Sequence, residues 1–220
     1  MSIRTLRHVK LASVVVLALA VTATALAGRG DPKERFTPAD QARARAMVLR
    51  VGDLNPAYAA RPASGSGGSG FYCAALDESD LTLTGRSNSP TFTATGEFIS
   101  STGSVYATRS DSNASWMRGT SAAGEKCLRA GLRADLQGAT VRLVSFKRVA
   151  FPRRGSRSVA YQAVANVQGI LVFVDLVAMQ VVRAQLGVMY VNALAPPAQS
   201  EVQRLTALVG TRAQKAMRGA

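Results

Sequence analysis

The sequence predicts an exported α+β domain, an antiparallel sheet covered by helices, and three observations predict it. The last third of the chain holds four long β-prone segments, Thr140–Ala150, Arg157–Val167, Ile170–Val182 and Leu186–Ala193. The connections between them are so short that only antiparallel neighbours are allowed. Helical patterns stand before, between and after the strands and do not alternate with them one by one. The N-terminus carries the three parts of an export signal.

Taken in order, the signal comes first. Arg4, Arg7 and Lys10 form a basic region, Leu11 to Leu26 an uncharged apolar run, and Ala25 and Ala27 a small-x-small cleavage pattern before Gly28. At about 16 residues the run is short for a bilayer span of roughly 20. Residues 1–27 therefore read as a cleaved signal peptide, with a retained membrane anchor as the competing reading. Residues 28–36 are polar and read as a disordered lead-in. Residues 37–218 then form a single exported α+β domain, long enough to bury one core.

Within that domain a first helix is signalled by Thr37 as N-cap, Pro38 at the first helical position and Asp40 in the first turn. Its apolar stripe is expected at Ala39, Ala42, Ala46, Met47 and Leu49, and Gly52 is placed to end it. Residues 61–70, rich in Gly and Ser, read as a flexible loop. The spacing Gly65-x-Gly67-x-x-Gly70 lacks a preceding strand and a following helix, so it is no dinucleotide fingerprint. Three short strands follow at Leu81–Thr84, Thr91–Thr95 and Ser104–Thr108. Ser110 or Asp111 should cap a helix holding Trp116, and a further helical run covers about Glu125 to Leu136, with Trp116 and Leu128 in the core. After the meander, Pro196 and Pro197 stop the last strand. A closing amphipathic helix over 198–217 buries Val202, Leu205, Leu208, Val209 and Met217.

Cys73 and Cys127 are the only cysteines, and an even count in an exported chain points to a disulfide between them, two buried thiols being the rival reading. The only histidine, His8, lies in the signal. The mature chain therefore has no Ser-His-Asp or Cys-His catalysis and no His-containing metal site. Carboxylates remain. Asp77, Glu78 and Asp80 precede a strand, either as a solvated turn or as a calcium or glycosidase-like acid group. Asp175 sits inside the apolar run of the third meander strand. It either pairs with Arg142, Arg148 or Arg183 on neighbouring strands or lines a cleft with them.

After cleavage 24 basic residues face 13 acidic ones, a net charge of about +11 that favours anionic surfaces or reflects a compositional liking for Arg. Six of the basic residues, Arg142, Lys147, Arg148, Arg153, Arg154 and Arg157, stand in a stretch with no acid. They form either a positive edge for phosphate or carboxylate groups or a solvated edge that deters strand-to-strand aggregation. Few aromatics accompany them, which disfavours nucleic acid. Membrane contact would use this basic surface or a retained signal.

The order of landmarks also carries a resemblance. A helix ending near Asp53-Leu54 is followed by Tyr72-Cys73, the run Leu76 to Gly85, Ser104 to Tyr106, Trp116 and Cys127-Leu128. The meander, Ala195-Pro196-Pro197 and a last helix complete it. This order resembles exported actinobacterial proteins related to the extracellular sensor domain of PknH-type serine/threonine kinases. The resemblance covers about residues 38–217 and implies a disulfide-stabilised α+β domain with a cleft for an extracellular ligand. The kinase sensors carry two disulfides, whereas this chain can make one.

Together these readings point to a secreted or envelope-associated, non-enzymatic, sensor-like binding domain for an anionic or amphipathic cell-envelope ligand, with no cofactor and no metal. The ligand contacts expected from the sequence are Asp175, Arg142, Arg148 and Arg183. The alternatives are a carboxylate-dependent hydrolase using Asp77, Glu78 or Asp80, and a structural envelope protein without a ligand.

Overall fold

The computed structural model describes residues 30–63, 72–135 and 141–219; the signal and most of the Gly/Ser loop lie outside the described residues. The elements in chain order are β1 (Lys33–Glu34), α1 (Pro38–Met47), β2 (Ala59–Arg61), β3 (Thr82–Asn88), β4 (Thr91–Ala94), β5 (Glu97–Tyr106), α2 (Arg109–Thr120), α3 (Ala122–Asp135), β6 (Val141–Val149), β7 (Arg157–Val167), β8 (Ile170–Val181), β9 (Ala184–Asn192) and α4 (Gln199–Ala216).

The expected α+β architecture is present, and its strands merge into one sheet of order β1-β3-β5-β9-β8-β7-β6, with β2 and β4 attached beside β5. The four predicted meander segments are β6 to β9, paired antiparallel in sequence. The long β5 docks antiparallel on β9 over nine residue pairs and so fuses the early strands to the meander. All pairs are antiparallel but one. Lys33 and Glu34, expected in a disordered lead-in, pair parallel with Thr82 and Leu83, because the edge of β3 leaves backbone groups open to them.

The period-two alternation of the strands sorts side chains onto two faces. One face buries Val177, Met179 and Val188 beneath α1 and α4, with Leu205 of α4 in the same core. The other buries Trp116, Phe146, Val172, Val174 and Val191, with Leu128 and Leu132 of α3 packed against them. Trp116 is thus core, as expected, and Leu128 is half-buried at its edge.

Helix α1 corrects the sequence reading in its burial. Thr37 does cap it, accepting from the Asp40 N–H at 3.2 Å, and the expected Met47 and Leu49 are buried, but Asp40 and Ala44 complete the buried face while Ala39 and Ala42 face solvent. The cause is an ion pair: the Arg183 guanidinium donates to both Asp40 carboxylate oxygens at 2.9 Å and to the Tyr106 carbonyl at 2.7 Å. Thr84 and Arg43 donate to the same carboxylate. Burial would raise the Asp40 carboxyl, yet these donors hold it well below the usual carboxylate range. α1 lies so close to β3 that a Cβ at Gly85 would fall 2.3 Å from the Asp40 carbonyl oxygen.

On the other side α2 is capped by Thr108, which accepts from the Asp111 N–H at 3.0 Å, and not by Ser110 or Asp111. Thr108 wins because it alone retains extended backbone while Arg109 onward is helical. Cys73 and Cys127 are joined, tying the segment before β3 to α3. Closing so long a loop contributes roughly 4 kcal/mol in the chain-entropy picture.

Candidate functional site

The face under α4 divides into cross-strand rows. At the covered end, Val149, Ala160, Val177 and Val188 lie side by side, one strand each. The next row is Lys147, Gln162, Asp175, Tyr190, Ile99 and Phe92, and beyond it come Ser145, Val164, Phe173, Asn192 and Glu97. Arg142, Asn166 and Leu171 form the outermost row. Along β8 on this face exposure falls from 45% at Leu171 to 5% at Asp175 and 0% at Met179. The change comes where α4 begins: Gln199, its first residue, donates to the Asp175 carboxylate at 2.6 Å. The helix then runs over the covered rows to Met217; in the outer two rows Asn192 is buried, Ser145, Val164, Phe173, Glu97 and Asn166 are half-buried, and Arg142 and Leu171 are exposed.

Asp175 is therefore a buried acid at the border between covered and open sheet. Burial pushes its carboxyl up, and the amides of Gln199 and Gln162 offset this only in part. Neither amide carries a charge, and Asp175 takes part in no ion pair among the described residues. Beside it a second polar group is knit together. Tyr58 donates to Glu97, its hydroxyl meets that of Tyr190 at 3.2 Å, and Asn192 donates to the other Glu97 oxygen at 2.9 Å. Burial and the Glu97 carboxylate together push the Tyr58 phenol far above its ordinary value. Sequence reasoning missed this group because Tyr58 stands in a loop and Glu97 at a strand start; the β2–β4 and β4–β5 pairings bring Tyr58 to Glu97, and the β5–β9 pairing adds Asn192.

The four expected contacts fall in three places. Asp175 and Arg142 share the half-open face, two rows apart. Arg148 faces the opposite side, 3.6 Å from Glu125 of α3. Arg183 lies in the β8–β9 turn at the far end of the sheet, bound to Asp40. None of the three arginines partners Asp175. A β-bulge explains the split of Arg142 from Arg148: an extra residue between Leu143 and Ser145 inverts the alternation of β6, so two residues of equal parity point to opposite faces. Lys147, which the sequence grouped only with the basic stretch, is the cation in the Asp175 row.

The acids before β3 are all engaged. Asp77 accepts from the Tyr72 hydroxyl and the Ser79 N–H, Glu78 from the hydroxyls of Tyr106 and Ser115, and Asp80 from both terminal nitrogens of Arg118. Their geometry is a turn stapled to β5 and α2. Among the described residues no three His, Cys, Asp or Glu side chains converge to hold a metal ion.

No protein-family model matches the chain, and no curated protein is similar to it in sequence. Among solved structures it aligns with the crystal structure of the extracellular domain of PknH from Mycobacterium tuberculosis. The alignment has 7% identity and a TM-score of 0.45, over 82% of this chain and 100% of that one. Likeness at that level speaks to neither ligand nor activity.

Proposed function

We propose that this chain is an exported, non-enzymatic, sensor-like domain that takes an anionic or amphipathic envelope ligand on the open rows of its meander. The observation that carries this reading is the exposure gradient along β8, with Leu171, Arg142 and Lys147 exposed around its outer end and Phe173 half-buried. Leu171 and Phe173 supply apolar contact, Arg142 and Lys147 charge, and Asp175 and the Glu97 group fixed polar anchors at the inner border. The disulfide supports an oxidising compartment.

Equilibrium binding of decyl phosphate, followed by calorimetry across salt, tests the reading. Binding should weaken with salt and fall about tenfold or more in Lys147→Glu, while Arg148→Glu on the opposite face leaves it unchanged. Equal losses in the two variants, or no binding at any salt, would overturn it.

A further inference from the structure

The open rows end in an apolar tip. Leu171 stands one residue beyond the tight β7–β8 turn, and Leu194 follows β9 at the same end of the sheet, its side chain lying over Gly96 of the β4–β5 turn. Leu194 is 72% exposed, and Val144, the bulged residue of β6, is 48% exposed. Large aliphatic side chains displayed at one end of a sheet lose contact with water only when something apolar comes to them.

The charges around the tip are of one accessible sign. Arg142 shares the Leu171 row and Lys147 lies two rows in; both are exposed, and neither joins an ion pair among the described residues. The acids of this face are turned to other partners, Asp175 beneath Gln199 and Glu97 between Tyr58 and Asn192. The shape matters as well. A cavity of about 510 Å³ lies at the opposite end of α4, against Gly155, Val182 and Met217. The tip, by contrast, is a sheet end whose Leu171, Val144 and Leu194 project outward, a form that suits a partner supplying its own depth.

We infer that this end of the sheet docks on an anionic lipid bilayer, with Leu171, Leu194 and Val144 entering the interfacial layer and Arg142 and Lys147 meeting headgroup phosphates. The inference rests on the proposed reading of the open rows and names the source of the ligand as an assembled membrane. The inferred contact is peripheral, made by side chains entering the interfacial layer; no described helix is long and apolar enough to cross a membrane. Apolar insertion and basic attraction act together, as two signals are needed for stable anchoring at a bilayer surface.

Flotation of the protein purified after export, with vesicles of equal parts phosphatidylglycerol and phosphatidylcholine, tests this. The protein should float with these vesicles at low salt and remain behind with phosphatidylcholine alone. Leu171→Ser with Leu194→Ser should reduce the bound fraction at least tenfold while keeping the melting temperature. Arg142→Gln with Lys147→Gln should reduce binding by about fivefold per charge and flatten its salt dependence. Arg148→Gln, on the far face, should change nothing.

Failure to float with anionic vesicles would overturn the inference, as would equal losses in Arg148→Gln. So would a wild-type dimer in solution that the leucine pair alone dissolves, since a second copy would then own the tip. If vesicles fail while monomeric decyl phosphate still binds, the membrane inference falls and the proposed function stands; if both fail, both fall.

Discussion

The two halves of one sheet face make an instructive pair. Between Asp175 and Val181 the α4 side of β8 is sealed, whereas outward of Asp175 it opens through half-buried Phe173 to exposed Leu171, although the same strand turns Val172 and Val174 into a buried core on its reverse. The strand sequence does not account for the difference: the outer half, Ile170 to Phe173, is wholly apolar, while the sealed half holds the polar Asp175 and Gln180. What differs is the helix above. α4 starts at Gln199, is anchored to Asp175 there, and covers only what lies behind it. Coverage is thus set by where a helix begins, not by how apolar the strand is.

The comparison breaks most severely if the sealing layer is unseated. Asp40→Ala strips Arg183, itself mostly buried, of its carboxylate partner and should cost about 3–5 kcal/mol in urea unfolding. Loss of less than 1 kcal/mol would mean that α1 is held by packing alone. Next comes a direct test of the two halves. Met179→Ala, in the sealed half, should cost about 2–5 kcal/mol, whereas Leu171→Ala, eight residues earlier on the same face, should stay within about 0.5 kcal/mol. Similar costs would show that the outer rows are covered in solution.

The smallest effect concerns the border itself. Asp175→Asn, which keeps shape and removes a poorly compensated charge, should raise stability by about 1 kcal/mol at pH 7. The folded carboxyl of Asp175 titrates above its unfolded value, so its cost is present at neutral pH and disappears as pH falls through the folded value. The gain from Asn should vanish in the same acid range. Asp40 and Asp53 run the other way: their carboxyls are held low, Asp53 by Arg212 and Arg50 against the opposing effect of burial. The stability they contribute is present above the ordinary aspartate range and is lost as pH drops below it through their lowered folded values. Wild type should therefore unfold in acid, while Asp175→Asn and wild type converge there.

Much of the fold was legible because its signals are local. The meander was written in β-branched runs and short connections, α1 in Thr37-Pro38, and the disulfide in a count of two. Non-local choices were not legible. Nothing in Glu97–Tyr106 announces that β9 is its partner, and with that pairing hidden, the Tyr58–Glu97–Asn192 group was invisible. The buried face of α1 was misread because hydrophobic periodicity cannot weigh an aspartate that turns inward to meet an arginine 143 residues away. Of the candidate site, Asp175 and Arg142 were placed on a common sheet from sequence, but their faces depend on a bulge that no residue type signals.

That bulge gives β6 something like a reading frame. Residues before Val144 are read in one phase and residues after it in the other, so the single inserted position decides which side chains the strand shows to each face. Deleting Val144 would be a frameshift in three dimensions: Arg142 would pass beneath α3, and Val141 and Leu143 would emerge on the open rows. A lineage can thus recast the chemistry of this surface by losing or gaining one residue, with no substitution at any contact.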